Sequence, residues 1–364
     1  MANPNAEERI LSRQCRLTRW RQAALAGMSL WLAASAGLAQ EIKLAEDSAP
    51  AIERMLAQAE RLRPISSLLV AQGGRLIVER YYRGMRADRA TNLKSVSKTL
   101  LSPLIGIAIE EGHLSGPNQP LSELLPEYFE RLDRPGEDTR KRDIELQHVL
   151  SMTAGIQTTS FGNYGAWLSS RDWVWDQLRR PMVCDPGRCF EYSTGNTHLL
   201  GAILTQRTGM SLRDYAQSRF FSALEIRLPR WDQDPQGRYL GGNNMALTPR
   251  DLLKFGQVYL DGGSYNGRQL ISADWINSSW QPRLSSPWNG HRYGYLWWNE
   301  RWGGETAYFA WGYGGQYLVV VPELQLVAVV TSSLSRTERG HNRRLRGFFD
   351  RYLVPAFAAH ARPR

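Results

Sequence analysis

The 364-residue chain is poor in three chemically versatile side chains, with three Cys, six His and five Lys (Lys43, Lys94, Lys98, Lys141, Lys254) against 40 Arg. Three cysteines are too few for a disulfide-stapled framework. With no Cys-x-x-Cys pair and no histidines at ligand spacing, a metal centre is not expected, and His148, beside Val149 and Leu150, reads as a structural histidine. His-Glu-x-x-His, a glycine-rich phosphate loop followed by Lys, and the Gly-x-Ser-x-Gly elbow are all missing, which argues against a zinc protease, a P-loop enzyme and an ordinary α/β-hydrolase. The formal charge is +10, but the basic residues are scattered, so nucleic acid is not an expected partner. What remains is an ordinary globular composition, 42% hydrophobic and 22% charged, with room for one large domain or two packed lobes.

The first forty residues read as a leader. Arg16, Arg19 and Arg21 precede an apolar run from Ala23 to Leu38, shorter than the roughly 20 residues that span a bilayer. Gly37-Leu38-Ala39 closes the run with small residues where a signal peptidase cuts. Residues 1–39 are therefore expected to be a signal peptide, and the mature chain, 40–364, to be periplasmic or secreted without an integral membrane segment. Removal of Cys15 leaves Cys184 and Cys189 as a pair in an oxidising compartment, expected to be bridged across the turn Asp185-Pro186-Gly187-Arg188.

Periodicity predicts an α+β fold. A helix is expected over 51–62, then a β-hairpin of 65–71 and 75–82 about a Gly73-Gly74 turn, then a helix over 95–111 capped by Gly112. Strand patterns recur at 308–311, 316–321 and 325–331, and a helical pattern at 339–359. Between them lie helical pieces such as 199–208 and 249–260. The expected layout is an antiparallel sheet flanked by N- and C-terminal helices, with a sheet lobe of about 50–116 and 290–364 and a mostly helical inserted lobe of about 117–289.

Ser95-Val96-Ser97-Lys98 places a hydroxyl and an amine one helical turn apart at the opening of an apolar helix. The amine can take the hydroxyl's proton if burial or local dipoles lower its ordinary pKa. Phe190-Glu191-Tyr192-Ser193-Thr194-Gly195-Asn196 follows the cysteine pair and supplies Tyr192 as a second proton carrier. Phe309-Ala310-Trp311-Gly312-Tyr313-Gly314-Gly315-Gln316 is a strand entering a tight turn that a substrate can approach closely.

These segments, with His148 to Gly155, Leu247 to Leu252 and Tyr293 to Trp298, stand in an order that resembles the serine hydrolases related to class C β-lactamases and penicillin-binding proteins. In motif form the sequence looks most like the 6-aminohexanoate-dimer hydrolase branch. The resemblance, which covers roughly 62–335, implies a β-lactamase/transpeptidase-like fold with Ser95 as nucleophile, Lys98 as its base and Tyr192 as proton relay. It also implies an oxyanion site made by the backbone N–H groups of Ser95 and Tyr313, substrate contacts from Thr194, Asn196, Trp311 and Gly312, and no cofactor. The family's Tyr-x-Asn has Thr194 in the Asn place, and its last-strand Lys-Thr-Gly reads Ala310-Trp311-Gly312. Loss of that lysine removes a charge-assisted contact to a carboxylate, which disfavours strong β-lactamase activity. The tryptophans at 288, 297, 298, 302 and 311, with Trp167, Trp173 and Trp175 in the insert, suggest instead an aromatic cleft for a small ester or amide with an uncharged acyl group. The competing readings are a non-catalytic envelope-polymer (peptidoglycan) binding protein on the same scaffold, or a weak β-lactamase.

Overall fold

The computed structural model describes residues 49–336 and 338–361; the expected leader at 1–39 lies outside them. The order of the sheet strands follows from where β-branched and aromatic residues cluster, at both ends of the described chain. The hairpin is formed by β1 (Ile65–Gln72) and β2 (Arg75–Tyr81). The later strands are β3 (Leu284–Ser285), β4 (Arg292–Tyr293), β5 (Trp298–Trp302), β6 (Glu305–Gly312), β7 (Gln316–Val321) and β8 (Leu326–Ser332). They make one sheet of order β2-β1-β8-β7-β6-β5-β4-β3, antiparallel throughout. Strand β1 thus lies between its hairpin partner and the last strand, with Leu68 opposite Val330 and Leu69 opposite Val329.

Two or three strands were expected in the C-terminal part and six are found among the described residues, so the sheet begins at 284 rather than about 290. The two-residue strands β3 and β4 are too short to alternate, and β5 (Trp-Asn-Glu-Arg-Trp) buries both Trp298 and Asn299, which breaks the period-2 pattern.

Every residue of β7 and β8 is buried, because the central strands are covered on both faces. The helix Pro249–Leu260 covers one face, started by Thr248, whose side chain accepts from the Asp251 N–H, and by Pro249 in the first turn. Its Gly256 lets the backbone touch the sheet: a Cβ there would come within 2.6 Å of Val327 Cγ1. Against β5 and β7 lie the C-terminal helices, with the Phe349 ring 5.0 Å from Tyr317 and 5.1 Å from Trp302. The expected helix over 95–111 is interrupted at Leu100, giving α1 (Val96–Thr99) and α2 (Leu101–Glu110). Pro103 explains the break, since it has no N–H to bond the turn before it.

The described residues from 54 onward form one compact unit, and the helix that opens the described chain runs over 49–61. The insert carries α3 (Thr194–Thr208), whose residues from Thr194 to Leu204 are all buried, and a small aromatic core of Trp167, Trp173 and Leu240. The predicted helix at 199–208 thus starts a turn and a half earlier, on the motif that follows Tyr192. Among the described residues no helix is long and apolar enough to cross a membrane.

Candidate active site

Ser95 sits at the start of α1, after a turn fixed from outside the helix. Thr91–Asn92 pairs with Ala246–Leu247, and the Leu93 N–H donates to Met245 O at 2.8 Å. Lys94 then takes a left-handed φ of 51°, held by its N–H on Asn92 Oδ1 at 2.9 Å and its Nζ on Asn244 Oδ1 at 3.1 Å. The helical turn that follows places Lys98 beneath Ser95, and the lysine is 1% exposed.

Lys98 Nζ lies 3.2 Å from Ser95 Oγ, 3.0 Å from Thr194 Oγ1 and 2.8 Å from the Gly242 carbonyl oxygen. No carboxylate is among these partners. Burial pushes the amine down from its usual 10.5 to about 7. The Tyr192 ring lies 5.2 Å from Nζ, and Tyr192 and Ser95 line the same cleft. Burial drives that phenol well above its usual value, with the Ser95 contact opposing in part, so it keeps its proton at neutral pH.

The loop before α3 that carries Tyr192 is tied down repeatedly. Cys184 and Cys189 are bridged, the Gly187 N–H donates to Thr153 O at 2.8 Å and the Glu191 N–H to Met152 O at 2.8 Å. These bonds explain the His148-to-Gly155 block as the platform of the tyrosine loop. His148 itself caps its helix by accepting from the Glu145 N–H.

Thr194 and Asn196 were expected to touch substrate, but neither lines the cleft. Thr194 is 3% exposed, with its hydroxyl on Lys98 and on Ser160 Oγ at 3.0 Å, and Asn196 is fully buried, its amide meeting no partner among the described residues. The reason is the direction of α3, which runs inward from Ser193. Trp311 and Gly312 do line it. With Ser95, Tyr192, Trp298 and Tyr313 they bound a cleft of about 140 Å³, completed by Phe161, Trp288 and Asn342. Phe161, Trp288 and Tyr313 are 66%, 49% and 67% exposed, large rings left uncovered at the mouth. Of the other tryptophans noted in the sequence, Trp167, Trp297 and Trp302 are core residues.

At Gly312 a Cβ would come within 2.3 Å of the Leu93 carbonyl oxygen, so only glycine lets the end of β6 lie against the turn that carries Ser95. Neither the Ser95 nor the Tyr313 N–H makes a hydrogen bond to another described residue.

Sequence reasoning missed Phe161, Asn342 and Gly242. Phe161 and Asn342 have no neighbouring motif, and Asn342 reaches the cleft from the helix His341–Phe348, at the far end of the chain. The glycine pair at 241–242 was a signal: Gly242 has φ +84°, and a Cβ there would meet Thr197 Oγ1 at 2.2 Å and Lys98 Cγ at 2.7 Å.

Comparison with known proteins bears on this arrangement. The Beta-lactamase family model matches residues 51–349. The 6-aminohexanoate-dimer hydrolase of Paenarthrobacter ureafaciens is 25% identical over 222 residues, 58% of this chain and 56% of that protein, so the match spans little more than half of the relative. A Bacillus anthracis structure described as a candidate 6-aminohexanoate-dimer hydrolase superposes with a TM-score of 0.66 at 21% identity, covering 83% of this chain and 81% of the other. EstCE1, a hydrolase with promiscuous acyltransferase activity, gives 0.65 at 17% identity over 86% and 99% of the two chains. At these identities the superpositions establish the fold.

Proposed function

The chain belongs to the Beta-lactamase family, and from that premise we propose that it is an exported serine hydrolase that opens an ester or amide bond through an acyl-enzyme on Ser95. One observation carries the reading. Lys98 Nζ has three polar neighbours, of which Thr194 Oγ1 and the Gly242 carbonyl can take its two hydrogens, leaving the lone pair for the Ser95 O–H. An amine that titrates near 7 is a base at neutral pH, whereas an ordinary lysine is not.

The steps follow from the positions. Nζ accepts the Ser95 proton as Oγ bonds to the substrate carbonyl carbon. The oxyanion so formed would be held by the N–H groups of Ser95 and Tyr313, which are free of other partners among the described residues. Tyr192, a phenol beside Ser95 in the cleft, passes a proton to the departing alcohol or amine and regains one from Lys98. Water then attacks the ester, its proton taken by the same base, and Oγ leaves as the serine hydroxyl.

The cleft favours an uncharged, apolar acyl group. Trp288, Trp298, Trp311 and Phe161 form its walls, and Ala310, next to Trp311, stands where the resemblance puts the family's carboxylate-binding lysine. Export is supported by the basic flank and apolar run before Ala39 and by the disulfide; the purified secreted protein should begin at Gln40.

The test is turnover of nitrophenyl esters of increasing acyl length. Wild type should hydrolyse them, Ser95→Ala should not, and Lys98→Ala should lose about 10²–10⁴-fold. Full turnover by Ser95→Ala would remove the proposed nucleophile.

A further inference from the structure

Behind Lys98 lies a buried pair that the reaction sequence does not use. His198 and Asp234 are side chains with no exposure, and His198 Nε2 is 3.0 Å from Asp234 Oδ2. His198 Nδ1 accepts from the Gly241 N–H at 3.3 Å. Because a backbone N–H can only donate, the ring hydrogen belongs on Nε2, directed at the carboxylate. Trp167 and Trp173 close the remaining sides, 5.8 and 5.4 Å from the imidazole. One residue earlier on α3, Thr197 Oγ1 lies 2.9 Å from the Thr194 carbonyl oxygen and 3.1 Å from that of Gly241, its single hydrogen shared between the two. Both polar groups of Gly241 are therefore held from one helix, and the next carbonyl, that of Gly242, receives Lys98 Nζ at 2.8 Å. Asp234 in turn fixes the far limb of the same loop by accepting from the Gln236 and Arg238 N–H groups at 3.0 and 2.8 Å.

We propose that His198 and Thr197 are positioning residues for the lysine base: braced by Asp234, they clamp both sides of Gly241 so that the Gly242 carbonyl holds Nζ with its lone pair on Ser95. The inference rests on the serine-hydrolase reading above and deepens it. The groups act through the loop alone. The charged members nearest the clamp are Asp234 and Arg238, 3.6 Å from it, while the polar partners of Lys98 are all uncharged. Loss of the clamp frees the Gly242 carbonyl, moves the amine off line and admits water to it. A misplacement on the ångström scale at a reacting atom lowers the rate by about 10- to 100-fold.

Four variants of the full mature chain test this by the rate of fluorophosphonate labelling from pH 5 to 9 and by kcat and KM on a nitrophenyl ester. Thr197→Val, nearly isosteric, and His198→Leu should each lower kcat about tenfold or more with little change in KM, and should move the acid limb of the labelling profile to higher pH as the amine regains water. Thr197→Ser and His198→Asn, whose side-chain oxygens keep the bonds to Gly241, should recover most of the rate and the wild-type limb. A merely structural role lowers the active fraction equally at all pH values and leaves the limb in place, and that outcome overturns the inference, as does a wild-type rate in Thr197→Val. If wild type is labelled elsewhere than Ser95, the hydrolase reading fails instead, and the two failures are distinguishable.

Discussion

At the scale of single residues, the chemistry turns on one amine kept away from water. Lys98 is released to about 7 by burial, and the unfolded chain holds its proton up to about 10.5. Its folded-state pKa is the lower one, so unfolding takes up a proton between these values and the burial opposes folding. The opposition is full below pH 7, shrinks as pH rises from 7 to 10.5 and vanishes above. A displacement of this size corresponds to roughly 5 kcal/mol, an upper bound once relaxation of the site is allowed for. Lys98→Met should therefore abolish turnover yet raise the melting temperature, by several degrees at pH 6 and by much less at pH 10.5. A melting temperature that falls equally at both values would contradict the burial argument. The Ser95-x-x-Lys98 relation was legible in sequence because three residues make one helical turn. The orientations of Thr194 and Asn196 were not, because a motif fixes order along the chain and not the direction in which the next helix runs.

Elements decide how firmly that chemistry is held. The bridge Cys184–Cys189 closes a loop of five-residue separation, which stabilises by roughly 2 kcal/mol through loop entropy. The tyrosine loop is also held by the Glu191 and Gly187 backbone bonds. Cys184→Ser with Cys189→Ser should thus lower stability by about that amount while kcat stays within tenfold of wild type; loss of all activity in a folded double variant would make the bridge the principal support. Gly242→Ala differs: its Cβ has no room beside Thr197 and Lys98, and its φ of +84° disfavours any side chain. We expect it to lose nearly all turnover in a soluble protein, measured against the nitrophenyl ester. The long elements were readable from the sequence, the hairpin from alternation about Gly73-Gly74 and β7 and β8 from runs of Val. The two-residue strands β3 and β4 have no period to read, and the Gly241–Gly242 loop meets Lys98 across more than 140 positions of sequence.

For the whole molecule, the decisive feature is that early and late segments of the described chain share a sheet. Ser67 Oγ meets Thr331 Oγ1 at 2.6 Å across a separation of 264 residues, and the cleft draws Ser95, Tyr192, Trp311 and Asn342 from four distant stretches. Contacts of such long range are slow to form and are lost together. A chain ended after Pro322 leaves β1 without β8, and limited proteolysis should find it unfolded rather than partly active. The same overall arrangement sets substrate class: with Ala310 in place of a cation on β6 and Trp311 beside it, nitrocefin should be turned over about ten- to a hundredfold more slowly than an aryl ester, the order of one lost charge-assisted contact. This fold class was legible because α+β patterns repeat at both ends, but which end-strands pair is a property of the closed sheet.

The account stands on Lys98 being uncharged when it meets Ser95, and the rate of fluorophosphonate attachment as a function of pH, with the adduct located by peptide mass, tests that most directly. It predicts a single adduct on Ser95 whose rate of formation rises with an apparent pKa near 7 and is lost in Lys98→Met. A rate that climbs steadily to pH 10 without a step near 7, or an adduct on another residue, would contradict it.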